Sequence, residues 1–396
     1  MGPTLSEYMA TDGSHASSGP VWDDRPWAPL PQLREQVDAR ICVVGLGASG
    51  LTAVGELLDL GVDVVGVDAA GVGSGAAGRN GGFLLAGTAD FFHHTAAQLG
   101  ADRAAALYRL TLDHLDRIWL ETPQAMRRTG SLRIAVDPDE VADCRAQIAA
   151  MQQTSLPVEP YAGREGPGLL FPMDACSQPL RRCRVLAGRA RMRGARLYEH
   201  SPAIQIAGNR VVTPRGEVQC DAVIVAVDGG IERVLPELAG RARTARLQVV
   251  ATAPAPEVDV PRPVYARWGL EYWQQLPDKR VVLGGFRDLG GEAEWTDEAV
   301  PTAPVQTELE RFLRRGIGVR ASITHRWAGM IAYTDDRLPI VEQIRDRVYA
   351  TGAYSGTGNV LGAVCGRALA QLIVTGRSLL DGVLLPSQRA TTGPSV

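Results

Sequence analysis

Three glycines at GxGxxG spacing, Gly45-Leu46-Gly47-Ala48-Ser49-Gly50, are followed eighteen residues after the last by an acid, Asp68. Residues of these types at this spacing are suited to holding a dinucleotide. Gly45 permits a tight turn out of a strand, and Gly47 lets backbone come against a pyrophosphate. Gly50 allows close helix-to-strand packing, while Asp68 is placed to accept hydrogen bonds from a ribose diol. A second run, Gly71-Val72-Gly73-Ser74-Gly75-Ala76-Ala77-Gly78-Arg79-Asn80-Gly81-Gly82-Phe83, carries six glycines in its first twelve residues. Such density implies backbone pressed against something flat or anionic. A third glycine-rich run lies near the other end, Gly352-Ala353-Tyr354-Ser355-Gly356-Thr357-Gly358-Asn359.

These residues need elements to position them, and the flanking patterns supply them. Ile41–Val44 is an apolar run of strand type ending at Gly45, and Leu51, Val54, Leu57 and Leu58 mark one face of a helix that stops near Gly61. A second apolar run, Val62–Val67, closes on Asp68. The result is a βαβ unit whose helix N-terminus faces the bound negative charge. After the last glycine run, Val360, Leu361, Val364, Ala368, Leu369, Leu372 and Ile373 fall at helical spacing, with Gly376 as the stop. Between these ends, a helix is expected from about Ala96 to Leu120, a strand over Gly130–Val136 and a helix over 180–194. A strand through Leu197 and Tyr198 and a buried one over Asp221–Val227 follow, the latter leading to a close approach at Gly229-Gly230. Tyr265, Trp268, Tyr272 and Trp273 precede a turn at Pro277–Arg280, which reads as a hairpin.

The chain of 396 residues is long enough for two domains, and its 45% hydrophobic content, 21% charged content and net charge of −3 suit an ordinary globular protein. No run of 18 apolar residues calls for a membrane span. No basic block interleaved with aromatics calls for nucleic acid. Six cysteines without CxxC spacing or a Cys/His cluster suggest neither a disulfide framework nor a zinc site, and no metal is expected. The compartment expected is the cytoplasm. Residues 1–37, rich in Ser, Gly and Pro and without a secretory pattern, read as a flexible extension, with Trp22 and Trp27 available to dock on the body.

The run from Ser74 to Phe83 resembles a segment of the D-amino-acid-oxidase-like superfamily of FAD-dependent enzymes, in its glycine oxidase, sarcosine oxidase and γ-glutamylputrescine oxidase branch. Arg326-Trp327-Ala328-Gly329, the segment Thr334–Ile340 and the Gly352–Asn359 run are similar to two further motifs of that family. The resemblance implies an α/β fold in which a Rossmann-type FAD-binding domain is interleaved with an antiparallel-sheet (α+β) substrate domain, glycine-oxidase-like. The FAD part would take residues 38–95, 172–244 and 325–388, and the substrate part 96–171 and 245–324, with 389–396 as a tail. FAD would be held noncovalently by Gly45, Gly47, Ala48, Ser49, Gly50, Asp68, Ser74, Gly75, Arg79, Asn80, Gly81, Gly82, Ile204 and Gly329. Gly352, Ser355, Gly356, Thr357, Gly358 and Asn359 would complete the set. The final helix would aim its N-terminal amides at the flavin edge where charge appears on reduction.

By the same resemblance the substrate is a small-molecule amine or amino acid, with O2 as acceptor. The arginines with which glycine and D-amino acid oxidases hold a carboxylate fall here on Ile331 and Gly356, so that clamp is expected to be missing. Arg267, Arg287 and Arg326 are the candidates to replace it, since a guanidinium pairs a carboxylate bidentately. His93 and His94 read as a helix start rather than a flavin attachment point, and Lys279, the only lysine, as an exposed turn residue. Three reactions stay open: an oxidase of amino acids or N-substituted amino acids, a γ-glutamylputrescine-type amine oxidase, and an amine dehydrogenase using another acceptor. A nicotinamide enzyme would share Gly45–Asp68 and leave the other two glycine runs unexplained.

Overall fold

Ile41, Cys42, Val43 and Val44 are at most 5% exposed, so this strand is covered on both faces, as an interior parallel strand requires. In the computed structural model, which describes residues 18–386, the strand Gln36–Val44 lies between Val64–Val67 and Glu217–Val225 and runs parallel to both. Arg196–Tyr198 extends the parallel array beyond Val64–Val67, and Val348–Gly352 extends it beyond Glu217–Val225. Antiparallel Ile340–Arg345 and the hairpin Gln205–Ala207/Arg210–Val212 complete an eight-stranded sheet.

Alternation sorts the first strand's side chains between two cores. Ile41 and Val43 pack with Leu51, Val54 and Leu57 of the helix Ala48–Asp59 and with Leu361, Val364 and Leu369 of the helix Leu361–Thr375. Cys42 and Val44 point to the other face, against Ile231, Leu235 and Leu238. The two helices cross closely because Gly366 has no side chain; a Cβ there would stand 2.3 Å from the Ser49 carbonyl oxygen.

A second eight-stranded sheet runs Ile323–Tyr333, Arg243–Pro254, Arg280–Gly285, Glu271–Gln275, Val264–Ala266, Ser131–Ile134, Gly166–Phe171, Glu159–Gly163. Its neighbours are antiparallel except Val264–Ala266 beside Ser131–Ile134. A small sheet of Phe83–Leu84, Ala175–Ser177 and Met126–Arg128 leads out of the second glycine run. The fold is thus the α/β arrangement of interleaved sheets expected from the sequence. Among the described residues no helix is long and apolar enough to cross a membrane, and all six cysteines are free and buried.

Three expectations need correction. The leader is not a flexible extension through residue 37: Val21, Trp22, Leu30 and Leu33 are buried, and the first strand opens at Gln36. Trp22 donates its indole N–H to the Asn80 carbonyl and Trp27 donates to Glu199, so both tryptophans dock; residues 1–17 lie outside the described residues. The single helix from Ala96 to Leu120 is two, Phe92–Leu99 and Ala101–Glu121, because Gly100 takes φ 87° between them. Finally, Ile323–Tyr333 pairs along Arg243–Pro254 in the second sheet, so residues 325–333 do not belong with the parallel one.

Candidate active site

The first glycine run behaves as its spacing predicts. Gly45 has φ 102°, and a Cβ on it would lie 2.5 Å from the Ala226 carbonyl oxygen. At Gly50 the added atom would stand 1.9 Å from the Gly45 carbonyl oxygen. Both glycines are therefore required by the protein's own backbone. Gly47 is not: its φ is an ordinary −85°, and an added Cβ would meet only the Ala77 Cβ at 3.2 Å. No side chain caps the helix Ala48–Asp59, so its first amides remain available to an anion.

Asp68 sits at the end of Val64–Val67 and accepts from the Leu46 amide (2.7 Å) and the Ala70 amide (2.9 Å). Loss of solvent raises its pKa against the pull of these two donors. Each oxygen keeps a lone pair for a diol. The Ser49 hydroxyl accepts from Tyr354 Oη at 2.9 Å, which ties this turn to the C-terminal glycine run. Beside Asp68 runs the segment Tyr198–Ser201. Ile204 heads the next hairpin, 64% exposed, with its N–H bonded to the Val212 carbonyl.

The other two glycine runs are fastened to each other. Asn359 Nδ2 donates to Asn80 Oδ1 (3.0 Å) and to the Phe83 carbonyl (2.8 Å), and Asn80 Nδ2 returns a bond to Asn359 Oδ1 (3.2 Å). Asn80 also caps its own turn, donating to the Ala76 and Ala77 carbonyls and accepting from Gly82 N. Arg79 spans from the Ser74 carbonyl to the Ala328 carbonyl, and Trp327 donates back to the Arg79 carbonyl. Gly329 packs closely against it: a Cβ there would sit 3.1 Å from that of Arg79. In the C-terminal run Ala353, Ser355 and Gly356 all have positive φ (52°, 51°, 102°), a strained path held by Asp228, which accepts from Tyr354 N. Burial pushes the Asp228 carboxyl up to about 7. Thr357 Oγ1 donates to the Tyr354 carbonyl, Gly358 packs on the Tyr354 ring, and the helix Leu361–Thr375 begins without a side-chain cap or an acid in its first turn. That electropositive end faces the same opening.

The opening is a cavity of about 300 Å³ bounded by Arg79, Asn80, Gly81 and Gly329 on one side and by Ser355, Gly356, Thr357 and Asn359 on another. A Cβ at Gly75 or Gly356 would meet no protein atom within 4 Å. Facing these loops, the second sheet contributes Tyr265, Tyr272, Ile331 and Tyr333. Burial lifts the Tyr265 hydroxyl to about 12 and raises those of Tyr272 and Tyr333, so all three are neutral donors near pH 7.

The three candidate arginines separate clearly. Arg267 is tied to Glu271 (2.5 Å) and, through two bonds, to Asp288 (2.9 and 3.0 Å), and Arg326 to Glu310 (2.8 Å). Neither lines the cavity, and both act structurally. Arg287 does line it, stacked 4.6 Å over Trp295 and 5.0 Å from the Tyr333 ring centre, with a buried Nε that has no partner. Among the described residues no carboxylate pairs with it within 4 Å. Sequence reading missed Arg133, which is 6% exposed, lies 3.9 Å over Phe91 and 4.9 Å from the Tyr265 ring centre, and donates to Gln147 Oε1 (3.3 Å) and to the Tyr265 hydroxyl. Its one sequence signal is an arginine within the apolar strand Ser131–Ile134. Glu199 was also missed. It is 1% exposed and accepts from Val72 N, Leu30 N and Trp27 Nε1, which fastens the leader to the second glycine run. Lys279 is exposed in its hairpin turn, 3.8 Å from Asp259, and away from the cavity.

Residues 40–372 match the DAO family, described as FAD dependent oxidoreductase. The chain belongs to this family. Over 387 residues it is 27% identical to the gamma-glutamylputrescine oxidoreductase of Escherichia coli (strain K12), an alignment spanning 91% of this chain and 89% of that protein. Its fold matches glycine oxidase from Geobacillus kaustophilus with a TM-score of 0.71 at 18% identity, covering 89% of this chain and 100% of that one. L-Proline dehydrogenase from P. horikoshii matches with a TM-score of 0.70 at 20% identity, covering 89% and 98%. The chain is accordingly an oxidoreductase with FAD as cofactor, and the open space at Gly75 and Gly356 with two uncapped helix N-termini fits that group.

Proposed function

We propose that the protein is an oxidase that cleaves the C–N bond of an amino acid or an N-substituted amino acid, glycine-oxidase-like in reaction. The observation that carries this reading is the pair Arg133 and Arg287, two cavity-lining cations without a carboxylate partner. A buried guanidinium left unpaired is costly, and a substrate carboxylate satisfies it. FAD supplies the two-electron acceptor for the α-carbon hydride, with O2 reoxidising it to give H2O2, and the imine product hydrolyses in water.

This chain's residues bind and orient. Arg287 and Arg133 hold the acidic end, and the Tyr265, Tyr272 and Tyr333 rings wall off water and present neutral hydroxyls. Gly356, where an added Cβ would meet no protein atom within 4 Å, leaves room at the cavity wall for substrate beside the cofactor. An amine entering unprotonated needs no general base, so positioning supplies most of the rate. Asn80 and Asn359, with Arg79, hold the loops against which the cofactor would lie.

A second reading is a γ-glutamylputrescine-type amine oxidase, favoured by the 27% identity that spans nearly the whole of that relative. The experiment is anaerobic titration of the yellow holoenzyme with an N-carboxymethyl amino acid, glycine and γ-glutamylputrescine, followed by peroxide assay in air. Bleaching by the first or second, with H2O2 in air, supports the main reading. Bleaching by the third alone moves the assignment to the second, and bleaching without peroxide moves it to a dehydrogenase.

A further inference from the structure

His93 and His94 open the helix Phe92–Leu99 beside the substrate cavity, and neither lines it. Their rings lie 4.1 Å apart between centres. Facing both is Asp143 of the helix Pro138–Gln153: its Oδ1 stands 3.4 Å from His93 Nε2 and 3.8 Å from His94 Nε2. All three side chains offer a ligand atom within 4.8 Å of the others.

We propose that His93 Nε2, His94 Nε2 and Asp143 Oδ1 form a site for a divalent transition metal of the zinc class. Metal bonds of about 2.0–2.2 Å to imidazole and carboxylate place the ligand atoms of a tetrahedron about 3.3 Å apart. The separations to Asp143 are close to that, so closing them on an ion takes side-chain shifts of a few tenths of an ångström. A water completes the fourth position, since His94 is 46% exposed at its side chain.

Two groups already orient the ligands. Asp90 Oδ1 lies 3.0 Å from His94 Nδ1, which holds the proton on Nδ1 and leaves Nε2 with its lone pair. Trp268 Nε1 donates to Asp143 Oδ2 at 3.0 Å, which turns Oδ1 toward the histidines. Trp268 N also donates to Glu140 Oε1 (2.7 Å), and Trp268 and Asp90 both line the cavity. A metal on Asp143 therefore braces the cavity mouth through the second bond of the same carboxylate. The nitrogen-rich set selects zinc-class ions over Mg2+ or Ca2+, which take oxygen ligands. The cysteines do not compete, because all six are buried.

The test uses untagged, chelator-washed holoenzyme, titrated calorimetrically with ZnCl2, and repeated with MgCl2. One equivalent of Zn2+ is expected, with no saturable Mg2+ binding, and a rise in Tm that grows with Zn2+ concentration. His94→Ala and, separately, His93→Gln are expected to weaken binding at least about tenfold and to remove the rise, with the flavin spectrum intact. Absence of saturable Zn2+ binding overturns the site. So does Zn2+ binding of equal strength in wild type and both variants.

Discussion

The reciprocal amide pair between Asn80 and Asn359 makes a quantitative claim about cofactor affinity. Asn359→Ala removes its two bonds with Asn80 and one to the Phe83 carbonyl, at 2.8–3.2 Å. At about 1 kcal/mol net for each, the change costs roughly 2–4 kcal/mol of order in the two loops facing FAD. FAD binding must then restore that order. With 1.4 kcal/mol per factor of ten, the FAD Kd is expected to rise about thirtyfold to several hundredfold. The assay is a fluorescence titration of apoprotein with FAD for wild type, Asn80→Ala, Asn359→Ala and the double variant. The shared pair predicts that the double variant loses less than the sum of the singles, by about 1–3 kcal/mol. Strict additivity, within about 0.5 kcal/mol, would refute the idea that the two asparagines act as one fastening.

Gly47→Val is expected to abolish FAD retention, because a side chain there, with its Cβ only 3.2 Å from that of Ala77, crowds the turn on which the pyrophosphate would lie; a yellow variant with normal affinity argues against this. Arg287→Ala, scored by steady-state kinetics on a carboxylate substrate, should raise KM about ten- to hundredfold, from the roughly 1.5–3 kcal/mol of a charged hydrogen bond, and change kcat less. Arg267→Ala, which breaks pairs outside the cavity, should lower Tm and leave KM unchanged. Asp174, 2% exposed, is held up to about 7 by burial despite bonds from Ser131 Oγ and Ala86 N, against an ordinary 3.8. The folded state thus binds this proton more tightly. The stabilisation is complete below pH 4 and is lost as pH rises through 7. Asp174→Asn should flatten the fall of Tm between pH 4 and 7 relative to wild type, and an unchanged slope would show that Asp174 does not titrate there.

Much of the cofactor end was legible in the sequence because its constraints are local. Gly50 is dictated by the Gly45 carbonyl five residues earlier, Gly45 by its own positive φ as well as by the distant Ala226 carbonyl, and the helix after Asn359 by its own 3.6-residue period. What was not legible depends on distant partners. A Ser-, Gly- and Pro-rich leader gives no sign that Glu199 will receive Leu30 N and Trp27 Nε1, more than 160 residues away. The helical pattern from Ala96 to Leu120 carries no sign of the break at Gly100, where a positive φ turns the chain. Among the arginines, sequence could supply candidates but not their partners. Arg267 and Arg326 met carboxylates, while Arg287 and the unforeseen Arg133 met aromatic rings. Ser49 sits within the glycine motif, yet its hydroxyl turned to Tyr354 from the far end of the chain.

The fastening of Asn80 to Asn359 also sets an order of events during synthesis. The two residues are 279 positions apart, so a ribosome-bound chain that has already folded its Gly45–Asp68 turn still lacks the opposing wall. Nascent protein has only half a berth for FAD, and tight capture waits until residue 359 has cleared the exit tunnel. Contacts of such long sequence separation form late and slowly.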